Sequence, residues 1–338
     1  MRVEGRYLVT GGAGYVGSHC VDLLVRAGAE VVVLDNLRQG HAEAVPDCVR
    51  LVQADVAEAE GVLAEGRWDG VLHFAALSLV GESMRDPLRY MIENAGGAYR
   101  LIQACVAHGV KRFVLSSTAA LFGNPDEIPI TEAARIEPGS AYGESKLAIE
   151  RALLWADRVH GLRSACLRYF NAAGADPGGR LGEDHDPETH LIPLTIDAAL
   201  GRRPGLVVFG TDYPTPDGTA VRDYVHVTDL GQAHLLALGQ LEGRSVTYNL
   251  GNGAGHSVRD VIASVERVLG RKVPHEFGPR RAGDPAVLVA SSERIRRETG
   301  WDPQFTELDD IVRTAAEWRL RHPEGYRSSP ALKTGTDR

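Results

Sequence analysis

A glycine-rich turn near the amino terminus constrains the fold more than any other feature of the sequence. The segment TGGAGYVG places Gly11, Gly14 and Gly17 between a β-branched run and an amphipathic stretch. Glycines at this spacing allow a tight strand-to-helix turn and let a pyrophosphate approach the backbone at the positive helix N-terminus. A plain connection between a strand and a helix can show the same spacing, so the surrounding sequence must decide between these two interpretations.

Short β-branched runs alternate with helical patterns through the first half of the chain. This alternation predicts an α/β fold of the Rossmann type, a doubly wound parallel sheet with helices on both faces. The predicted strands are Tyr7–Thr10, Glu30–Asp35, Val49–Ala54, Val71–Phe74, Arg112–Ser117 and Ser164–Phe170.

The composition of the chain changes after Asn171, where loops rich in Gly, Pro and Asp surround helical patterns at Leu191–Leu200 and Val227–Leu241. We predict a dinucleotide-binding domain of residues 1–171 plus about 222–250. A smaller C-terminal α/β substrate lobe is expected from about 172–221 and 251–325. Residues 326–338 lack apolar periodicity and are expected to form a disordered tail.

Charge and composition exclude several classes of function. The formal net charge is -8 and there is no basic block, which argues against a nucleic-acid surface. No run approaches the roughly 20 apolar residues of a membrane span, and no apolar segment follows the start, so we expect a cytoplasmic protein. The four cysteines are scattered and histidines do not cluster beside them, so no metal site is predicted.

Acidic and aromatic residues at the predicted strand ends favour a dinucleotide site. Asp35 ends the second strand near the offset of about 20 residues at which a carboxylate binds the adenosine ribose. A carboxylate there repels a 2′-phosphate, which favours NAD over NADP. Asp55 and the run that begins at Phe74 follow the third and fourth strands, at the edge where such sheets bind ligands. Asp55 fits a helix N-cap equally well.

Tyr142 and Lys146 form a Y-x-x-x-K pair on one face of a predicted helix. Lysine is rare in this chain, and a compact ammonium can contact a ribose and lower the pKa of a neighbouring phenol. Thr118 ends the fifth strand, where its hydroxyl can hydrogen-bond a reacting oxygen while Tyr142 removes the proton. Hydroxyl residues at strand ends also serve simply as turn formers.

These motifs resemble the extended short-chain dehydrogenase/reductase family, and within it the UDP-glucose 4-epimerases, also called UDP-galactose 4-epimerases. The resemblance covers roughly residues 5–325, and its second half is the more specific part. The matching words are TGGAGYVGSH, LDNL, HFAAL, VGES, SSTAALFG, YGESK, LRYFNAAGA, FGTDYPTPDGTAVRDYVHV and RRAGD.

The resemblance implies reversible C4 epimerisation of UDP-glucose and UDP-galactose through a 4-keto sugar, with bound NAD and a catalytic set of Tyr142, Lys146 and Thr118. It also implies a homodimer formed through the helices near Pro87–His108 and Tyr142–His160. The NAD contacts it implies are Gly11, Gly14, Tyr15, Val16, Gly17, Asp35, Asn36, Asp55, Val56, Phe74, Ala75, Ala76, Asn94, Ser116, Tyr142, Lys146, Tyr169 and Phe170. The UDP-sugar contacts are Thr118, Asn171, His190, Leu191, Val207, Phe209, Arg222, Tyr224, Arg281, Asp284 and Leu288.

Three other activities compete with this interpretation. A 4,6-dehydratase of the same family needs an acid and a base after Thr118, and Ala119 and Ala120 stand there instead. A UDP-pentose or UDP-uronate 4-epimerase and a non-catalytic NAD-sensing regulator remain alternatives. The resemblance places Leu288 beside the C2 substituent of the sugar, where a residue of intermediate size would also admit UDP-N-acetylglucosamine. Leu288 can equally be an ordinary strand residue.

Overall fold

The computed structural model describes residues 2–281 and 284–328, which form three sheets flanked by helices. The strands are β1 (Arg6–Thr10), β2 (Glu30–Asp35), β3 (Arg50–Gln53), β4 (Gly70–His73), β5 (Arg112–Thr118), β6 (Arg163–Tyr169), β7 (Asn171–Ala173), β8 (Leu206–Phe209), β9 (Val221–His226), β10 (Val246–Leu250), β11 (Gly255–Ser257), β12 (His275–Gly278) and β13 (Val287–Leu288).

The α-helices pack on both faces of the largest sheet and around the two smaller ones. They are α1 (Tyr15–Arg26), α2 (Ala59–Leu63), α3 (Val80–Ser83), α4 (Pro87–Tyr90), α5 (Gly97–Ala107), α6 (Ala141–His160), α7 (Leu191–Ala199), α8 (Val227–Gln240), α9 (Val258–Leu269), α10 (Glu293–Thr299) and α11 (Leu308–Arg321). No helix in the described ranges is long and apolar enough to cross a membrane.

The largest sheet contains seven parallel strands in the order β10-β6-β5-β4-β1-β2-β3. The predicted Rossmann-type parallel sheet is therefore confirmed. The strand order reverses between β1 and β4, and ligands of such sheets bind outside the strand carboxyl ends at this switch point. The six predicted strands differ from the observed ones by one residue or less at each end, but β10 was not predicted.

Two smaller sheets carry the second half of the chain. Strand β9 pairs with β7, β11 and β13, and β8 pairs with β12. Helices α7, α9 and α11 cover these strands with a separate apolar core that includes Ile196, Val265 and Ile311. This arrangement forms the smaller lobe, and it sets β13 beside β9 although their sequences are far apart.

Two predicted boundaries differ from the structure. The segment 222–250 was assigned to the first domain, but β9 hydrogen-bonds in the smaller sheet, and only α8 and β10 return to the large one. The predicted tail begins too early, because Tyr326 is 4% exposed, packs with Trp318 and stacks on His41. Residues 329–338 of that predicted tail lie outside the described residues.

Helix α6 has a clear beginning and end, which fixes the position of the residues on its first turns. The Ser140 hydroxyl caps it by accepting a hydrogen bond from the Gly143 amide at 3.1 Å. Its C-terminus runs into Gly161, whose φ of 67° is the left-handed conformation that glycine adopts readily. Gly143 also allows close packing, because a Cβ there would lie 2.5 Å from the Ala120 oxygen.

A buried ion pair joins α6 to the large sheet. Arg168 on β6 and Glu150 on α6 have side chains only 7% and 8% exposed, and Arg168 Nη2 lies 2.6 Å from Glu150 Oε2. The Arg168 Nε donates to the other carboxylate oxygen at 3.0 Å, and the Ser117 hydroxyl donates to that oxygen at 2.6 Å. The carboxylate therefore receives three hydrogen bonds in a largely buried site.

We expect Arg168→Met to lower the free energy of unfolding by about 3–5 kcal/mol, the usual cost of leaving one partner of a buried pair without its counter-ion. Chemical denaturation of the two proteins measures this difference. Arg50→Met is the matched control, because Arg50 and its partner Glu65 lie on the surface and such pairs contribute little. A loss no greater in Arg168→Met than in Arg50→Met would contradict the structural role of the buried pair.

Candidate active site

The glycine turn forms an open cradle at the N-terminus of α1. A Cβ on Gly17 would lie 2.1 Å from the Gly11 oxygen, and one on Gly11 would lie 2.4 Å from the Ala75 nitrogen, so both must be glycine. A Cβ on Gly14 would meet only the Gly11 oxygen, at 3.4 Å. Helix α1 begins there without a side-chain cap and without an acidic residue in its first turn. This backbone suits a diphosphate, which would bind the N–H groups and the positive helix end.

Asp35 fixes the cradle to the end of β2. Its Oδ2 accepts from the Ala13 amide at 3.0 Å and its Oδ1 from the Leu37 amide at 2.9 Å. The side chain is 7% exposed, and burial raises its pKa although both hydrogen bonds oppose the rise. A carboxylate in this position can also accept from a ribose hydroxyl, since each oxygen has a further lone pair.

The residues that follow β3 and β4 form hydrogen bonds and a ring contact at the carboxyl edge of the sheet. Asp55 caps the short helix Val56–Glu58 by accepting from the Ala57 amide at 3.0 Å, as one of its two interpretations predicted, and it also accepts from Asn36 Nδ2 at 3.3 Å. The Phe74 ring lies 4.9 Å from the His234 ring. The NAD contacts expected of these residues stay predictions.

Asn94 connects the loop after β4 to helix α6. It exchanges two hydrogen bonds with the backbone of Leu77, at 2.8 and 2.9 Å, and its Nδ2 donates to the Ser145 hydroxyl at 3.1 Å. Asn94 is 2% exposed and lies in the π-helical segment Met91–Gly96, a geometry often found at functional sites. The structure thus gives Asn94 a positioning role beside the Tyr142 helix.

The predicted catalytic residues meet at the carboxyl end of β5. Tyr142 and Lys146 lie on the first turns of α6, and Thr118 ends β5. Burial raises the pKa of Tyr142, and a hydrogen bond with the Thr118 side chain acts against that rise. The expectation that the Lys146 ammonium lowers the pKa of this phenol stays a prediction, because among the protein's own groups burial is the largest influence on the Tyr142 pKa.

Lys146 is almost fully buried and forms a hydrogen bond with the large sheet. Its Nζ donates to the Ser116 carbonyl oxygen at 2.7 Å, while the Ser116 hydroxyl is hydrogen-bonded to the Tyr169 hydroxyl. Burial lowers the pKa of Lys146 to about 8, and the charge of Glu150 opposes this lowering. Lys146 therefore lies between β5, where the backbone accepts from it, and the carboxylate one helical turn away.

The sequence interpretation missed the polar residues that support this site. Glu150 lies four residues after Lys146, so helical spacing could have indicated its place near the ammonium. Arg168 is the ion-pair partner of Glu150. It lies on strand β6, far from Glu150 in the sequence, so local spacing could not have indicated it. His73, at the end of β4, is buried and hydrogen-bonds the Thr10 hydroxyl at 2.7 Å, and burial lowers its pKa to about 3.

The predicted diphosphate arginines lie in the smaller lobe. Arg222 on β9 forms an ion pair with Asp284, and its Nη1 donates to the Val221 oxygen at 2.8 Å. The Arg281 guanidinium lies 4.2 Å from the centre of the Phe209 ring. The structure therefore brings four predicted substrate residues into two adjoining pairs, each offering a guanidinium group.

The other predicted substrate residues lie on β7, β8 and β9 and around the start of α7. Asn171 and Tyr224 are partners in the pairing of β7 with β9, and Tyr224 is buried. His190 precedes α7 and its Nδ1 is paired with Glu183, while Leu191 packs on the core of the smaller lobe. Val207 is 41% exposed on β8. Direct contacts between these residues and a UDP-sugar stay predictions.

Leu288 connects the two lobes at the catalytic edge. It is aligned with Arg222 in the pairing of β13 with β9. It also packs, together with Phe170, against the buried cluster of Ala119, Phe122 and Ile130. Because Ala119 directly follows Thr118, this packing places Leu288 close to the catalytic strand end rather than in a remote part of the smaller sheet.

Comparisons with known proteins agree with this site. Residues 7–251 match the model of the NAD dependent epimerase/dehydratase family. The UDP-glucose 4-epimerase of Lacticaseibacillus casei is 48% identical over 323 residues, which cover 94% of this chain and 98% of the relative.

Solved structures give the same result. A crystal structure of the UDP-glucose 4-epimerase of Brucella ovis in complex with NAD has a TM-score of 0.89 at 44% identity and covers 92% of this chain and 97% of that one. The UDP-Glc/GlcNAc 4-epimerase of Campylobacter jejuni has a TM-score of 0.81 at 38% identity and covers 94% and 99%. The cradle, the strand-end residues and these matches together show that the chain belongs to the NAD-dependent epimerase/dehydratase family.

Proposed function

We propose that this enzyme interconverts UDP-glucose and UDP-galactose by C4 epimerisation with an NAD that stays bound. The observation that carries the proposal is the group formed by the half-buried Tyr142 with the buried Thr118 and Lys146, which lies at the same sheet edge as the glycine cradle. The identity of 48% with a UDP-glucose 4-epimerase over nearly the whole chain supports the same substrate class.

Bound NAD supplies a reversible hydride acceptor for the C4 carbon of the sugar. Tyr142 takes the proton of the C4 hydroxyl during oxidation and returns it during reduction, while the Thr118 hydroxyl hydrogen-bonds the same oxygen. The 4-keto sugar turns in the pocket between the two steps, so that hydride returns to its other face. No net oxidation occurs. Ala119 and Ala120 offer no acid or base for elimination, which separates this chemistry from dehydration.

Substrate binding would use the two guanidinium groups of the smaller lobe. A diphosphate favours arginine because charge-assisted hydrogen bonds to its oxygens are strong and often bidentate. In the structure Arg222 is oriented by Asp284, and Arg281 rests on the Phe209 ring. We infer that Asp284 holds the Arg222 guanidinium ready for the diphosphate and that Phe209 keeps Arg281 extended.

The direct test is to incubate the purified protein with UDP-galactose and no added cofactor, and to measure UDP-glucose. We expect conversion, together with about one NAD(H) released per chain on denaturation, because the cofactor is regenerated in every turnover. Consumption of added NAD in step with product would instead identify a dehydrogenase. If the protein retains NAD but converts no substrate, a non-catalytic NAD-sensing regulator would be the favoured alternative.

We expect Tyr142→Phe to reduce turnover by at least about 10²-fold, the scale expected for losing a general acid–base group. The NAD content and the thermal stability should stay near those of the unchanged protein, because only the hydroxyl is removed. Steady-state kinetics and the NAD content of the purified variant measure both effects. Near-normal turnover in Tyr142→Phe would show that another group moves the proton.

The position of Leu288 suggests how the sugar pocket selects its substrate. The residue packs beside Phe170 and next to Ala119, so a larger side chain there would reduce the space near the catalytic edge. Leucine is smaller than tyrosine and flexible. We infer that UDP-glucose and UDP-galactose are the main substrates and that UDP-N-acetylglucosamine is converted less efficiently.

We expect Leu288→Tyr to remove the activity on UDP-N-acetylglucosamine while sparing that on UDP-glucose. One wall residue typically changes discrimination by about 1–3 kcal/mol, so kcat/KM should fall roughly 10–200-fold more on the N-acetylated sugar. Parallel kinetics on both sugars, with Leu288→Met as the control of similar volume, measure the ratio. Equal losses on both substrates would mean that Leu288 does not limit the pocket.

A second copy of this chain is the partner that the surface supports best. Helices α5 and α6 form an apolar groove lined by Tyr99, Ile102, Val106, Trp155 and Val159. Trp155 is 62% exposed and Val159 is 64% exposed. Leu88 and Ile92, which lie just before α5, are also largely exposed, at 72% and 71%. A monomer seldom exposes so continuous an apolar surface, and we infer a homodimer through these helices.

We expect Trp155→Arg to shift the protein from two copies to one in sedimentation experiments, because the substitution buries an unpaired charge in the proposed interface. Leu320→Arg is the control, since Leu320 is 52% exposed on α11, outside this surface. An unchanged mass for Trp155→Arg, or a monomeric parent protein, would refute the interface.

A further inference from the structure

Four side chains of the segment Glu183–His190 converge just before α7. Glu183, His185, Glu188 and His190 each direct one ligand-type atom, an imidazole nitrogen or a carboxylate oxygen, to within 4.8 Å of the others. His185 Nδ1 lies 3.3 Å from a Glu183 oxygen and 3.8 Å from a Glu188 oxygen, and His190 Nδ1 is paired with Glu183. The spacing E-x-H-x-x-E-x-H thus brings two imidazoles and two carboxylates together within eight residues.

Glu188 supplies an independent sign that this cluster takes a ligand. Its side chain is only 9% exposed. The Oε1 atom accepts from the Thr189 and His190 amides at 2.8 and 2.9 Å. The Oε2 atom is buried and has no hydrogen-bond partner among the described residues. A buried carboxylate oxygen without a hydrogen-bond partner is costly, and a cation bound to it would reduce that cost.

We propose that Glu183, His185, Glu188 and His190 form a binding site for a divalent transition-metal ion, with Zn²⁺ as the expected occupant. Two imidazoles, each binding after loss of its proton, and two carboxylates are four ligands of the types that Zn²⁺ prefers, in the number of a closed structural site. The two carboxylates would balance the charge of the dication. Ca²⁺ and Mg²⁺ prefer sites made of oxygen ligands alone and fit this cluster less well.

The position of the cluster indicates a structural rather than a chemical role. The Tyr15 ring, at the start of α1, lies 6.3 Å from the His185 ring in an edge-on contact. The neighbouring Asp184 contacts two residues that stack on each other: its carbonyl oxygen lies 2.9 Å from His41 Nε2, and its carboxylate accepts from the Tyr326 amide at 2.9 Å. A cation here would fix the segment that joins the glycine cradle to the helices of the smaller lobe.

The test uses the full-length protein with its cofactor retained, treated with a chelator and dialysed. We expect it to take up one equivalent of Zn²⁺ per chain in titration calorimetry and elemental analysis, and to melt at a higher temperature with Zn²⁺ because the ion binds the folded state. Co²⁺ in the same site should give the visible absorption of a tetrahedral complex. These readouts do not depend on epimerase activity, so they remain informative if the proposed reaction is wrong.

Matched variants separate this site from adventitious binding. His185→Gln and Glu188→Gln should lose the bound equivalent and the thermal shift while still containing NAD, which reports that they are folded. His275→Gln should keep both, because His275 lies on the exposed strand β12 outside the cluster. The proposal is overturned if the unchanged protein binds no Zn²⁺, or if all three variants bind it like the parent.

Discussion

The parallel arrangement of the seven-stranded sheet is the constraint on which the rest of the structure depends. All seven strands run in one direction, so the residues that end β1, β4 and β5 meet at a single edge. The glycine cradle follows β1, His73 ends β4 and Thr118 ends β5. Helix α6 adds Tyr142 to the same edge because its first turn packs on the residues after Thr118. A reversal of β1, β4 or β5 would move its group to the opposite edge of the sheet.

Keeping a lysine charged at this edge requires several buried partners. Desolvation works against the ammonium of Lys146, and Glu150 opposes that effect from one helical turn away. The Glu150 carboxylate would itself be unstable in the core without Arg168 and Ser117, which donate three hydrogen bonds to it. The charge of the catalytic region therefore depends on a chain of interactions that ends on β6. Such a network holds the groups in place before substrate binds, which is the condition for efficient proton transfer.

Local patterns in the sequence were enough to predict the large sheet, the glycine turn and the Tyr142–Lys146 pair, because each depends on short-range spacing. Local patterns were insufficient for Arg168, whose role depends on its position opposite α6. They were also insufficient for β10, which pairs with β6 at the edge of the large sheet after the chain has passed through the smaller lobe. The effect of burial, which raises the pKa of Tyr142, cannot be read from spacing either. The tail was placed too early because Tyr326 packs on His41, a residue far away in the sequence.

The smaller lobe shows why the substrate half was harder to interpret than the cofactor half. Its six described strands have two to six residues each and come from separate stretches of the chain, and β13 has only two residues. Pairing with β9 nonetheless sets Leu288 beside Arg222, and packing sets it beside Phe170. One side chain thus contacts both the strand that carries Arg222, a predicted diphosphate ligand, and the cluster that contains Ala119, the residue after Thr118. The proposed substrate selectivity at Leu288 would therefore arise from the junction of the two lobes, which no single sequence motif encodes.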